Sequence, residues 1–176
     1  LHNKIRDLQI AQMEADIEAN PGAPDIDDKR AQIAEIRRER AGKLIDEAKG
    51  RVERNPTDKG LRYELGQALF DGALYTEAIP ELQQARSNPH IRTKAMLLLG
   101  RCFEKKNMND LAEGVLSEAA KELVAMDNTK KEILYELAMV YEKSSKRDQY
   151  LEALKEIYNT DYGYRDVAKR VESSYS

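Results

Sequence analysis

Few residues in this chain have the type and spacing that chemistry needs. The two histidines, His2 and His90, have no partner at a metal-ligand spacing, and a zinc site needs three or four nitrogen, sulfur or oxygen ligands brought together. Cys102 is the only cysteine, which excludes a disulfide within the chain and any cysteine-based zinc site. Arg101 precedes it, and a cation beside a thiol can activate it for redox chemistry. The other reading of Cys102, one residue before Phe103, is a small side chain buried between helices. The glycines are single and scattered, so no loop of backbone amides is present to cradle a phosphate. The carboxylate pairs Asp27-Asp28 and Asp46-Glu47 are adjacent on helical segments and point apart, which is wrong for acid–base work. Arg37-Arg38-Glu39-Arg40 reads either as a patch for phosphate or an acidic partner, or as a solvated helix face with opposite charges about one turn apart. Tyr158, Tyr162 and Tyr164 either stack on a ligand or fill the gap beneath a short terminal helix. No nucleophile–base constellation emerges. The expectation is a chain that is not an enzyme and has neither cofactor nor metal.

The composition points away from several other classes. Of 176 residues, 41% are hydrophobic and 35% charged, with nine glycines and five prolines. That balance suits a helical protein with a thin, continuous core, in which each repeat is buried only by its neighbours. Net charge is −3 with both signs interspersed, so the overall field favours neither nucleic acid nor an acidic membrane. No stretch approaches the roughly 18 consecutive apolar residues of a membrane span, and no membrane insertion is expected of this fragment. The single cysteine fits a reducing compartment, with the cytoplasm favoured. The chain begins at Leu1 and not at Met, so it reads as a fragment or a processed form from which a signal or anchor could have been lost.

The elements that position these residues announce themselves through a repeat. One pattern of small and large residues runs through Leu65-Gly66, Leu69, Tyr75, Ala78, Leu82 and Ala85. It returns in Leu99-Gly100, Phe103, Asn109, Ala112, Leu116 and Ala119, always 34 residues later. Several positions sharing one offset mark a stacked array of helical hairpins. Leu137-Ala138 continues the register 38 residues after Leu99-Gly100, so Asp127-Asn128-Thr129 makes a longer connection.

Helix-period spacing and breakers then divide the chain. A helix over 1–19 carries Leu1, Ile5 and Leu8 on one face and Ile10, Met13 and Ile17 on an adjoining one. Asn20-Pro21-Gly22-Ala23-Pro24 ends it. A second helix, capped by Asp27 or Asp28, runs to about Arg54 with an apolar stripe of Ile33, Ile36/Arg37, Ala41, Leu44, Ala48 and Val52. Asn55-Pro56 stops it. Paired helices are then expected over about 58–72 and 76–88, 91–106 and 109–125, and 130–144 and 147–159. Gly72-Ala73 and Asn107-Met108 form turns, Thr76 caps the helix after it, and Pro80 falls near that helix's start. Tyr150 and Ile157 stand where the earlier units have alanine, so the last of these helices should pack differently or face a different neighbour. A short helix from Asp166 to about Ser174, with Val167, Ala168 and Val171 on one side, suits an end cap, and Tyr175-Ser176 reads as a natural terminus.

By Leu65-Gly66, Leu99-Gly100, Ala78, Ala85, Ala112 and Ala119, the chain resembles the tetratricopeptide repeat family. The likeness is good over about residues 57–125, fair to 160 and weak before 56. It departs from the family where a large aromatic is usual in the first turn of the first helix, since Arg62 and Met96 stand there. The resemblance implies an all-α, α–α superhelix, a TPR-like solenoid, with an N-terminal helical hairpin over 1–56 and a capping helix over 162–176. The hairpin can be read as ending in a degenerate repeat helix, and three TPR-like units follow at 57–90, 91–127 and 128–161.

In that family the first helices of successive units line a concave groove that holds peptides or partner helices. Carried over, the groove positions are Tyr63, Gln67 and Phe70, then Lys94, Leu97, Arg101, Glu104 and Lys105, then Tyr135, Met139 and Glu142. Tyr63, Leu97 and Tyr135 could instead pack on one another or on the N-terminal helices. Family members that grip a C-terminal carboxylate use bases and asparagines where this chain has Tyr63, Gln67, Leu98, Glu132 and Glu136. The two acids would repel a carboxylate, so that subtype is not expected. The expected function is a non-catalytic protein-interaction scaffold that binds a protein or peptide partner in the groove. The alternatives are a homo-oligomer joined through the N-terminal hairpin, or the accessory part of a larger enzyme.

Overall fold

The structure, a computed structural model, describes His2–Tyr175, with side chains from Lys4 onward. The apolar face position of Leu1, the side chain of His2 and the terminus at Ser176 lie outside the described residues. Those residues form α1 (His2–Ala19), α2 (Ile26–Arg54), α3 (Lys59–Asp71), α4 (Tyr75–Ala85), α5 (Arg92–Lys105), α6 (Asn109–Glu122), α7 (Asn128–Lys143), α8 (Arg147–Tyr158) and α9 (Val167–Ser173). They divide into two compact units, 1–47 and 48–176, with the division falling inside α2.

In the first unit, ion pairs link α1 to α2. Arg6 pairs with Glu39 at 2.8 Å, Glu14 with Arg37 at 2.6 Å, Asp16 with Lys29 at 3.5 Å, and Asp7 with Arg40. Arg38 pairs with Glu35 along α2. Every charge of the Arg37–Arg40 run thus has a partner, which favours the solvated-face reading over a free anion patch. Exposed pairs of this kind contribute a few tenths of a kcal/mol each, roughly 0.2–1. Ile26 and Ile33 are buried, while Ile10, Met13 and Ile17 are half-buried. Two expectations are corrected. Asp27 and Asp28 lie inside the first turn of α2, where they complement the helix dipole, and not at its cap. Of the stripe, Ile33, Ala48 and Val52 are buried, but Leu44 is 51% exposed and its neighbour Ile45 is buried instead. Adjacent helix positions point about 100° apart, so one wrong neighbour turns a residue from core to solvent.

In the second unit, α3 packs on α4, α5 on α6 and α7 on α8. The second helix of each pair also packs on the first helix of the next, α4 on α5 and α6 on α7. The first helices α3, α5 and α7 lie side by side. At the crossings Gly66 faces Leu82 and Gly100 faces Leu116, and a Cβ at either glycine would sit 2.6 Å from leucine side-chain carbon. Only glycine lets these backbones approach so closely. Leu69, Leu82, Leu99, Leu116 and Leu154 fill the space beside the crossings and are fully buried.

Each pair turns through the same device. Ala73, Asn107 and Ser145 all have φ 58°, the left-handed region. The amides of Leu74, Met108 and Lys146 then reach back to the carbonyls of Leu69, Phe103 and Tyr141 at 2.8–2.9 Å. These bonds satisfy carbonyls that the helix end leaves without partners. Asp58 and Asp127 cap α3 and α7, accepting from backbone amides. Thr76, expected as a cap, lies inside α4, and its hydroxyl accepts from Lys106 Nζ at 2.6 Å. Pro80 is the sixth residue of α4, a full turn beyond the helix start. Where the family pattern has an aromatic, Arg62 donates to Glu81 on α4 at 2.8 Å and to the Pro56 carbonyl, and Met96 is wholly buried. Tyr150 and Ile157 find a different neighbour: α8 faces the short α9, with Ile157, Val167 and Val171 buried and Arg170 donating to Tyr150 Oη at 3.1 Å.

Candidate functional site

Because α3, α5 and α7 lie side by side, residues one or two turns along each helix meet on a shared face. There Tyr63, Gln67, Lys94, Leu97, Leu98, Arg101, Thr129 and Glu132 surround a hollow of about 280 Å³. Five of the eleven expected groove residues, Tyr63, Gln67, Lys94, Leu97 and Arg101, are thus brought together. Leu97 contributes little accessible surface, being only 6% exposed. Burial pushes the Tyr63 phenol above its ordinary pKa, so it faces the hollow as a neutral hydroxyl.

Arg101 is the electrostatic centre of this face. It donates to Glu132 at 2.6 Å and to Glu136 at 2.9 Å and 3.1 Å. Burial opposes its charge, yet the two carboxylates hold its proton more tightly than usual. These acids, one helix over, therefore neutralise a groove cation instead of standing free. Lys94 is exposed and lies at the hollow's edge.

The remaining expected residues are spread along the face. Phe70 meets Tyr75 of α4 in a tilted contact, 5.3 Å between ring centres. Glu104 pairs with Lys143 on α7, and Lys105 is exposed. Met139 is half-buried, and Glu142 pairs with Arg170 of α9 at 3.1 Å. Tyr135 is engaged by the chain's C-terminal segment. Its hydroxyl donates to Asp166 at 2.8 Å, and its ring meets Tyr164 edge-on at 6.2 Å. Burial and this bond raise the Tyr135 pKa. The segment before α9 therefore covers the α7 end of the face, which no local signal in 161–166 announced. Tyr158 and Tyr162 pair with each other at 5.5 Å, apart from Tyr164.

Of the two readings of Cys102, the buried side chain between helices is the one observed. The residue is wholly buried, and burial pushes its thiol up to about 12. A thiol held protonated is a poor nucleophile, so the activated reading fails. Among the described residues no cluster of three or more His, Cys, Asp or Glu is placed to hold a metal ion, and no helix is long and apolar enough to cross a membrane.

No protein-family model and no curated protein matches this chain. Solved structures do. A thermophilic TPR protein from Thermus thermophilus is similar over 97% of this chain and 90% of its own, with a TM-score of 0.62 and 18% identity. BtubC (BKLC) from P. vanneervenii is similar over 72% of this chain and 58% of its own, with a TM-score of 0.51 and 18% identity. The fold is therefore an all-α, TPR-like helical solenoid.

Proposed function

We propose that the chain is a non-catalytic scaffold that binds a peptide or partner helix along the face shared by α3, α5 and α7. The observation that carries this reading is the hollow between Tyr63, Gln67, Lys94 and Arg101, which stays open although α3, α5 and α7 pack side by side. Solenoids of this type generally serve as protein-interaction scaffolds, and a half-buried aromatic beside an exposed cation suits peptide recognition. A photo-cross-linker at Gln67 or Met139 should capture a protein that linkers at Glu118 and Lys155, on α6 and α8, do not. Capture only from the α6 and α8 positions would overturn the reading. A charge at Leu97 is a poor probe, because that side chain is nearly buried.

A second reading, self-assembly through the α1–α2 hairpin, has its own observation. Ile5, Leu8 and Leu44 are 48%, 70% and 51% exposed, a heavy apolar load for so thin a unit. Sedimentation of the 176-residue chain and its Leu8→Glu variant tests this: an assembly lost in the variant supports it, and a monomer in both cases sinks it.

A further inference from the structure

The α7 end of the shared face is occupied by the chain itself. Arg165 lies over Tyr135, its guanidinium carbon 4.5 Å from the ring centre, and over Tyr164 at 5.3 Å. A terminal nitrogen reaches Glu132 at 3.7 Å. The two rings meet edge-on, and Tyr135 is held in orientation by its bond to Asp166, which Arg170 Nε also fixes at 2.7 Å. The arrangement is thus two aromatic faces and a carboxylate around one planar cation. Hydrogen bonds hold its floor in place, yet its occupant is exposed and sits at φ 47°, a conformation that non-glycine residues rarely adopt. Two other cations touch the same groups: Lys131 pairs with Asp161 at 2.7 Å while lying 5.4 Å from the Tyr164 ring, and Arg101 holds Glu132 at 2.6 Å as well as Glu136, so Arg165 shares the Glu132 carboxylate with Arg101.

We propose that Glu132, Tyr135 and Tyr164 form an arginine-binding cradle, filled by Arg165 in the unbound chain and by an arginine of the partner peptide when one binds. This rests on the groove reading above and names one feature of the partner: an exposed arginine. Arginine is selected over lysine because the rings stand 71° apart, so a flat guanidinium lies against one ring, turns its edge to the other and directs a nitrogen to the carboxylate, which a compact ammonium cannot do. Arg165 acts as a tethered competitor, so the cradle's apparent affinity falls with the fraction of time Arg165 occupies it.

Arg165→Gly empties the cradle without distorting the corner, since glycine takes positive φ readily. The probe is N-acetyl-arginine amide, titrated into wild type and variant and followed by the NMR shifts of Tyr135 and Tyr164. The variant should bind it with a dissociation constant on the order of 10 mM, roughly tenfold tighter than wild type, and should prefer it to N-acetyl-lysine amide. Equal binding by both chains, no binding by a folded variant, or equal shifts with the lysine probe would overturn the proposal. Tyr135→Ala in the Arg165→Gly background should abolish the response. The outcome is independent of cross-linking at Gln67, so cradle and groove can fail separately.

Discussion

Replacing Gly100 with alanine tests the helix crossing on which the repeat is built. The new Cβ would lie 2.6 Å from both Cγ and Cδ2 of Leu116, where ordinary contact begins at 3.4 Å. Leu116 is 1% exposed, so solvent offers it no room to move aside. Forcing a methyl into such a core costs about 1–3 kcal/mol. Alanine's helix propensity returns about 1 kcal/mol of that. The net expectation is a loss of roughly 1 kcal/mol, read as a lower urea midpoint at unchanged slope. Leu116→Ala removes both clashing atoms, at its own cost of about 2–5 kcal/mol. In that background Gly100→Ala should stabilise by about 1 kcal/mol, giving a coupling of roughly 2 kcal/mol between the two sites. Additive effects, or stabilisation by Gly100→Ala in the wild-type background, would refute the claim that close approach is why glycine stands here.

The turns and the buried thiol give two further expectations. Ala73→Gly and Ser145→Gly should each stabilise by roughly 0.5–1 kcal/mol, because left-handed backbone strains a Cβ, whereas Asn107→Gly should gain little, since asparagine tolerates that conformation; equal gains at all three in urea unfolding would contradict this. Cys102 keeps its proton in the folded chain up to about pH 12, while an unfolded thiol loses it near pH 8.5. Above that lower value the unfolded state binds fewer protons, so stability present below it should drain away as pH rises. Cys102→Ala should lose less stability than wild type between about pH 8 and about pH 10.5, and identical losses would count against the assignment.

The repeat was legible in the sequence because its cause is local and periodic. Gly66, Gly100, Ala78, Ala112, Leu82 and Leu116 recur at one spacing, since each unit must solve the same crossing problem. Breakers such as Asn20-Pro21-Gly22-Ala23-Pro24 and Asn55-Pro56 lie between the observed helices for equally local reasons. The family resemblance implied Tyr63, Gln67, Lys94 and Arg101 as groove positions, and these four side chains line one hollow.

What the register could not supply was which polar partners meet across helices. Glu132 and Glu136 face Arg101 from more than 30 residues away, and nothing in either segment encodes the other. The choice of Ile45 over Leu44 as the buried residue turns on the helix's rotation against its neighbours, which two adjacent aliphatics leave open. The fate of Tyr135 is the clearest case. The family resemblance made it a groove aromatic, and it lies on α7, one of the three side-by-side helices. Only the path of residues 161–166, folded back so that Tyr164 and Arg165 reach α7, decided that the chain covers it with its own side chains. Local spacing fixes helices and their repeating contacts, whereas a segment that leaves the repeat is placed by packing and charge from elements distant in sequence.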